Sequence, residues 1–289
     1  MKKLIFISLS FLTLQLFASP LPQSKADFCA RFGTLPNDRA TIQDLSTETT
    51  NLMSFKNGGG LFNGGVCWWH SRFQRNILYL SIFRPDLEKF TRTEDIQNII
   101  HQVRLGNSVV TIAGYANFAE FSTINQKLIQ EELDDWQLYD GVVLGSWIDG
   151  LKGETKVKPE LLKIMMDEVY NYVETEKKIA YLKLQIKGIS AHAWLVVGLK
   201  KGSTGYEVGL IDSNNPRMTK NYSYKYGEDS FSLKSYGNFV PYLEFKREEL
   251  RLLSVAKTFC GINGLQDDDS DPKDWDKDYE IDLAEARGL

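Results

Sequence analysis

The 289-residue chain has the composition of a folded protein, with 43% hydrophobic and 25% charged residues and a formal net charge of −4. Ten acidic and three basic side chains fall in the last 23 residues, so the rest of the chain is almost neutral. A neutral body lacks the basic surface that attracts a polyanion, and we expect no nucleic-acid partner.

The N-terminus has the pattern of an export signal. Lys2 and Lys3 precede an uncharged apolar run from Leu4 to Ala18, and small residues follow at the expected cleavage point. The run is too short for a comfortable bilayer span, and no later segment reaches the roughly 18 apolar residues that a span requires. We therefore predict a signal peptide over residues 1–18, export to a periplasm or to the cell exterior, and no stable membrane anchor.

The three cysteines divide into a flanking pair and one internal residue. Cys29 lies in a polar, turn-rich segment after the signal, Cys260 lies near the end of the body, and Cys67 lies between them beside glycines. Because disulfides persist outside the cytosol, we predict a Cys29–Cys260 bond that leaves Cys67 as a free thiol. Closing so long a loop stabilises a fold by roughly 4 to 5 kcal/mol on the chain-entropy model.

A helical period of hydrophobic residues follows the glycine-rich stretch Gly58–Gly65. Apolar residues at spacings of four, four and three predict a helix that begins at Cys67. Thr91 and Glu94 have the spacing of a capping box, which predicts a second helix, with Gly106 as its stop. The third predicted helix runs from Asn117 to about Trp136, and the fourth begins at Pro159, a residue suited to a first helical turn.

Beyond Lys178 the hydrophobic period changes to two, which is typical of strands. One or two further strands are predicted between Phe231 and Phe245, and a closing helix from Arg247 to Phe259. The four clearest strands are Ile179–Ile186, Ala191–Leu199, Tyr206–Ile211 and Tyr222–Tyr226.

These elements predict an α+β fold with one domain over residues 19–265. A helical half, about 51–178, would carry Cys67, and an antiparallel, barrel-like β half, about 179–265, would carry His192 and Asp212. The functional cleft would lie between the halves. Residues 266–289 are acidic and without period, so we expect this tail to be disordered.

Cys67 has the setting of a nucleophile. It follows two glycines and opens a helix, where unpaired backbone N–H groups and the helix dipole stabilise a thiolate. The same N–H groups can hold an oxyanion, and the glycines allow a substrate backbone to come close. The alternative is a buried cysteine packed between aromatic side chains.

His192 is the better candidate for a general base, because small neighbours flank it at the beginning of an apolar strand. His70, three residues after Cys67 on the same helical face, is the alternative base. Asp212 ends the next strand, where it would meet the imidazole nitrogen that faces away from sulfur and fix the tautomer. The alternative for Asp212 is a residue that starts the following turn.

The order and spacing of these residues resemble those of papain-like cysteine peptidases. That family has a Cys followed by Trp or Tyr, with His and Asn about 130 to 150 residues downstream. Here Cys67 precedes Trp68, His192 follows after 125 residues, and Asp212 takes the place of the asparagine after 145. The stretch from His192 to Gly198 is also similar to the family's His-Ala-Val segment. Aspartate as the third member is typical of distant bacterial relatives and of transglutaminase-like proteins.

The resemblance implies a two-lobed papain-like fold, acyl-thioester chemistry, and a peptide or protein substrate. The family's oxyanion glutamine lies six residues before the cysteine, where this chain has Leu61. Asn63 or Asn57 could supply the amide instead, and Asn63 is preferred because it is nearer. The tryptophan that the family places just after its asparagine is replaced here by Ser213 and Asn214.

We therefore predict an exported cysteine hydrolase, a peptidase with a Cys67–His192–Asp212 triad. The alternatives are a transglutaminase-like acyltransferase, a cell-wall peptide amidase, and an exported binding protein that keeps the fold without chemistry. No phosphate-cradling glycine motif is present, and Cys67 and His70 lack a second pair of zinc ligands. No cofactor or metal is therefore expected.

Overall fold

The computed structural model describes residues 21–33, 40–60, 64–139, 155–187, 191–234, 237–243 and 245–262. The predicted signal peptide, the acidic tail and Asn63 lie outside these residues. The helices within the described ranges are α1 (Lys25–Gly33), α2 (Ala40–Thr47), α3 (Cys67–Leu80), α4 (Thr93–Leu105), α5 (Phe118–Ile124), α6 (Gln126–Leu138), α7 (Pro159–Tyr170) and α8 (Phe245–Phe259).

The strands form a small parallel sheet and a larger antiparallel one. Strands β1 and β2 pair in parallel, and the other six have the order β6-β5-β4-β3-β8-β7 in a nearly closed, barrel-like sheet. The strands are β1 (Ser81–Arg84), β2 (Val110–Ala113), β3 (Ala180–Gln185), β4 (Ala191–Lys201), β5 (Gly205–Asp212), β6 (Thr219–Lys225), β7 (Phe231–Leu233) and β8 (Gly237–Leu243).

The predicted mixture of helices and an antiparallel barrel-like sheet is confirmed. Helix α3 begins at Cys67, α7 begins at Pro159, and two strands lie between Phe231 and Leu243, followed by the closing helix. The spacing of the apolar residues along the chain was sufficient to place these elements.

The capping box predicted at Thr91 is wrong. Helix α4 begins two residues later, after Arg92, whose side chain makes no cap. Arg92 forms an ion pair with Asp95 in the first turn instead, at 2.5 Å between Nη2 and Oδ1. The acidic side chains of that turn, Glu94 and Asp95, lie at the positive end of the helix dipole.

The predicted third helix is divided in two at Asn125. Its beginning is as expected, because Asn117 accepts a hydrogen bond from the Glu120 N–H at 2.9 Å. Asn125 Nδ2 donates to the Phe121 carbonyl and to the Tyr115 hydroxyl, both at 3.0 Å. Such side-chain hydrogen bonds compete with the backbone hydrogen bonds of a continuous helix. Helix α5 therefore ends before Asn125, and α6 begins at the next residue, Gln126.

Four elements were not predicted, namely α1, α2, β1 and β2. The two helices lie in the polar segment after the signal and are only nine and eight residues long. Strand β1 follows α3 without a loop, so its apolar residues are indistinguishable from a continued helical stripe. Strands of four residues are too short to display a period of two.

Strand β4 separates two hydrophobic cores. Its side chains alternate, so that Ala193, Leu195 and Val197 belong to the core that contains α3. Trp194 and Val196 belong to a second core that contains α7. This alternation follows from the pleat of a strand. Helix α3 therefore packs directly on β4, which brings the beginning of the helix to the beginning of the strand.

The predicted disulfide between Cys29 and Cys260 is present, with a Cα–Cα distance of 5.4 Å. It ties α1 to the end of α8, where the rings of Phe28 and Phe259 also pack edge to face at 5.5 Å. Such a bond is consistent with an exported protein. Among the residues described, no helix is both long enough and apolar enough to cross a membrane.

Candidate active site

Cys67 is the first residue of α3 and the one described cysteine outside the disulfide. Its side chain is 8% exposed, and its Sγ lies 3.3 Å from the carbonyl oxygen of Ala191 at the beginning of β4. First-turn N–H groups of a helix have no acceptor within the helix. The sulfur therefore lies at the end of α3 where the helix dipole favours negative charge.

His192 follows Ala191 on β4 and is 2% exposed. Its Nε2 lies 2.9 Å from Oδ1 of Asp212. Because a carboxylate only accepts, Nε2 carries a proton in this contact. Cys67 acts on the same ring, because it helps to raise the pKa of His192. Since Nε2 faces Asp212, Nδ1 is the nitrogen through which the ring would reach the sulfur. Trp68 fixes the backbone of His192 by donating its indole N–H to the His192 carbonyl at 3.2 Å.

Both carboxylate oxygens of Asp212 accept hydrogen bonds. Asp212 is the last residue of β5 and the cross-strand partner of Trp194 on β4. The Trp194 indole N–H donates to Oδ2 at 3.3 Å, and the Asn214 backbone N–H donates to Oδ1 at 2.8 Å. A carboxylate held in this way is fixed in orientation as well as in charge.

The environment gives the two residues opposite charges. Burial by itself would lower the pKa of His192, but the attraction of Cys67 and the hydrogen bonds with Asp212 and Cys67 outweigh it and raise the pKa to about 9. Burial would raise the pKa of Asp212, but His192, Asn214 and Trp194 hold it below its ordinary value. At neutral pH the pair is an imidazolium facing a carboxylate.

His70, the alternative base, is oriented differently. Its Nε2 lies 3.1 Å from the Phe55 carbonyl oxygen, and its ring packs edge to face on the Phe55 ring. Burial is the main cause that lowers the pKa of His70, to about 4, so the ring is neutral at physiological pH. The structure brings His192, and not His70, into contact with Asp212.

Asn57, the alternative oxyanion donor, bridges two parts of the site. Its Oδ1 accepts a hydrogen bond from the Val66 N–H at 2.6 Å, and its Nδ2 lies 3.3 Å from Oδ1 of Asn214. The Asn57 backbone N–H donates to the Ser213 carbonyl at 2.8 Å. Asn57 therefore ties the residue before Cys67 to the turn after Asp212. Asn63, the preferred donor, lies outside the described residues.

Three contacts of the site were missed in the sequence. Trp68 donates its indole N–H to the His192 carbonyl, and Trp194 donates its indole N–H to Asp212; neither contact was predicted. The signal for Trp194 was present, because it lies two residues after His192 and so shares its face of the strand. Lys183 on β3 is 5% exposed, and its Nζ lies 3.8 Å from the centre of the Trp68 ring.

A small cavity with room for about one water molecule lies next to Asp212. Its polar lining includes His70, Ser71, Gln74, Asp212 and Ser213. Over the described ranges, no group of three or more His, Cys, Asp or Glu side chains has the arrangement of a metal site.

Comparison of the chain with models of known protein families, with characterised proteins and with solved structures gave no match.

Proposed function

We propose that the protein is an exported cysteine hydrolase of papain-like architecture, a peptidase in which Cys67, His192 and Asp212 form the catalytic triad. The observation that carries the proposal is the position of His192: its Nε2 lies 2.9 Å from Oδ1 of Asp212, and the Cys67 Sγ lies 3.3 Å from the carbonyl oxygen of Ala191, the residue before His192. A nucleophile, a base and an orienting acid in contact are what acyl transfer by a thiol requires.

In the first half of the reaction, the Cys67 sulfur, as thiolate, attacks the carbonyl carbon of the scissile amide, and the carbonyl oxygen becomes an oxyanion. As this intermediate collapses, the C–N bond breaks and the His192 imidazolium gives its proton to the departing amine. The products are a thioester on Cys67, a free amine and a neutral imidazole. Asp212 holds the ring so that one nitrogen faces sulfur throughout.

In the second half, water attacks the thioester carbonyl while His192 accepts one proton of that water. The C–S bond then breaks and releases a carboxylic acid, and the Cys67 sulfur and the protonated His192 are restored. The Cys67 backbone N–H is the described donor at the beginning of α3 that can stabilise both oxyanions, and Asn63 is proposed as the second donor. No cofactor takes part in these steps.

The setting of the site suits this chemistry. All three triad side chains are at most 8% exposed, and charge interactions are stronger where water is excluded. The Cys29–Cys260 disulfide supports the proposed export to a periplasm or to the cell exterior.

The first test is alkylation of the mature chain by iodoacetamide between pH 5 and pH 9, with the modified residue mapped by mass spectrometry. We expect rapid modification at Cys67 near neutral pH in wild type and at least a tenfold slower reaction in His192→Ala, because a thiol without its base is mostly protonated. A slow, His192-independent reaction would identify a structural cysteine, as in a binding protein without chemistry.

The second test is hydrolysis of benzyloxycarbonyl amino acid p-nitrophenyl esters and of a fluorogenic peptide library. Activity should disappear in Cys67→Ala while the circular dichroism spectrum is unchanged, and wild-type rates in that variant would refute the proposal. Added glycine methyl ester separates hydrolysis from acyl transfer, because a transglutaminase-like enzyme would form the amide of that amine in preference to the free acid.

A further inference from the structure

Helix α6 presents three polar side chains on one face to the glycine-rich segment before Cys67. Gln130, Asp134 and Gln137 are spaced by four and three residues, so they form a row along the helix. Gln130 Nε2 donates to Oδ1 of Asp134 at 2.7 Å, which joins the first two members. The described part of the glycine-rich segment comprises residues 58–60 and 64–65.

The first two members of the row hold the beginning of the segment. Gln130 Nε2 donates to the Gly58 carbonyl at 3.0 Å, and the Gly60 N–H donates to Oδ1 of Asp134 at 2.9 Å. The contact leaves no room for larger residues, since a Cβ on Gly60 would lie 2.5 Å from Gln137 Oε1. Gly60 also has a φ of 73°, which favours glycine.

The third member holds the end of the segment, directly before the nucleophile. Gln137 Nε2 donates to the Gly65 carbonyl at 3.0 Å. The N–H of the same peptide unit belongs to Val66 and donates to Asn57. A peptide unit is planar, so holding its oxygen and its N–H from opposite sides fixes the orientation of the whole plane. Cys67 follows immediately, and the direction of its own N–H depends on that plane.

The geometry points to Gln137, supported by Asp134 and Gln130, as a set of positioning residues for acyl transfer. They fix the Gly65–Val66 peptide so that the N–H of Cys67 faces the oxyanion. This inference rests on the proposed function, because the oxyanion belongs to that reaction. Gly59 and Gly60, earlier in the same segment, pack closely against the polar side chains of α6.

The inference separates two properties of Cys67. Alkylation by iodoacetamide needs a thiolate but forms no oxyanion, whereas ester hydrolysis needs both. Loss of the α6 contacts should therefore slow hydrolysis and leave alkylation unchanged. A displacement of about 1 Å at a reacting group lowers turnover by up to about 100-fold, so the effect is measurable even if the segment moves only slightly.

The experiment compares Gln137→Met and Asp134→Ala with the matched control Asp135→Ala, all in the full mature chain. Methionine keeps the length of Gln137 without its N–H donor, and Asp135 is the exposed neighbour of Asp134. For p-nitrophenyl ester hydrolysis we expect kcat to fall at least tenfold in the first two variants, with KM within about twofold of wild type. The rate of Cys67 alkylation and its pH inflection should match wild type in all three variants.

Unchanged kcat in both Gln137→Met and Asp134→Ala, with Cys67-dependent hydrolysis present in wild type, would overturn the inference and leave the proposed function standing. A parallel loss of alkylation and hydrolysis would also overturn it, because the contacts would then support the thiolate or the fold. Hydrolysis that does not depend on Cys67 would instead refute the proposed function.

Discussion

Trp194 and Asp212 lie directly opposite each other on neighbouring antiparallel strands, and the indole N–H of Trp194 donates to Oδ2 of Asp212 at 3.3 Å. Trp194 is 1% exposed. Directly opposed residues on an antiparallel pair share a face of the sheet. The indole thus supplies a hydrogen bond, in a dry environment, to the carboxylate oxygen that does not contact His192.

Replacement of this indole tests that relationship. In Trp194→Phe the carboxylate of Asp212 loses a donor, so the pKa of Asp212 should rise toward its ordinary value. A hydrogen bond to a charged group contributes roughly 1.5 to 3 kcal/mol, and we expect kcat/KM to fall about tenfold, with the acid limb of the pH profile displaced to higher pH. The measurement is the pH dependence of ester hydrolysis.

The matched control is Phe239→Leu, because the Phe239 ring packs edge to face on Trp194 at 5.3 Å and a phenyl side chain has no polar atom. This variant should lower the free energy of unfolding but leave the acid limb where it is in wild type. The same displacement of that limb in both variants would show that packing, and not the hydrogen bond, determines the charge of Asp212.

Removal of the negative charge of Asp212 should affect the basic limb of the pH profile of hydrolysis. Asp212 raises the pKa of His192, so in Asp212→Asn the pKa of His192 falls from about 9. Because hydrolysis requires a protonated His192 as the acid for the leaving group, the basic limb should move to lower pH. We expect partial activity, about 10²- to 10⁴-fold below wild type, because the amide of asparagine orients the ring but does so less well than a carboxylate.

The comparison that decides this is between Asp212→Asn and Asp212→Ala, with kcat measured from pH 5 to pH 10. The alanine variant lacks any partner for Nε2 and should be the slower of the two. Equal activity in wild type and Asp212→Ala would remove the carboxylate from the mechanism.

The sequence could indicate the three residues of the proposed triad because each has a one-dimensional signature. Cys67 opens a helix after glycines, His192 begins a strand, and Asp212 ends the next one. Their meeting follows from the antiparallel pairing of β4 and β5 and from the packing of α3 on β4. The disulfide could be predicted for a similar reason, since removal of Cys67 from the set leaves only one pairing.

The supporting contacts could not be predicted, because they join elements that are distant in sequence. Gln137 and Gly65 are 72 residues apart, and Asn57 reaches Asn214 across 157 residues. No spacing rule links such positions. The division at Asn125 and the short parallel pair β1–β2 were missed because a single side-chain bond or a four-residue strand produces no period.

A buried carboxyl group, Glu249 on α8, gives a prediction about stability. It is 2% exposed, and the Tyr79 hydroxyl donates to its Oε1 at 2.9 Å. Burial, only partly offset by Tyr79 and Arg75, raises the pKa of Glu249 to about 8. The folded protein therefore binds a proton here that the unfolded chain, with an ordinary carboxyl pKa near 4.5, has already lost at neutral pH.

The protonated Glu249 carboxyl therefore makes its full contribution to the free energy of unfolding below about pH 4.5. That contribution is lost as the pH rises to about 8. Glu249→Gln keeps the shape without the titration. Urea denaturation at pH 5.5 and pH 8.5 should show a smaller decrease in the free energy of unfolding for Glu249→Gln than for wild type. The exposed Glu168→Gln should behave like wild type, and an identical decrease in all three proteins would exclude Glu249 as the titrating group.

The Cys29–Cys260 bond should contribute to stability without taking part in the reaction. It closes a sequence separation of 231 residues, and the chain-entropy model assigns roughly 4 to 5 kcal/mol to a loop of that size. The double variant Cys29→Ser with Cys260→Ser should therefore unfold at a lower urea concentration, and its free energy of unfolding should be smaller than that of wild type by about this amount. Since α1 and the end of α8 are joined by this bond and the triad lies on α3, β4 and β5, kcat per folded molecule should remain within about twofold of wild type. Circular dichroism shows which variant molecules are folded. If those molecules lose most of their kcat, α8 stabilises the geometry of the site in addition to the fold.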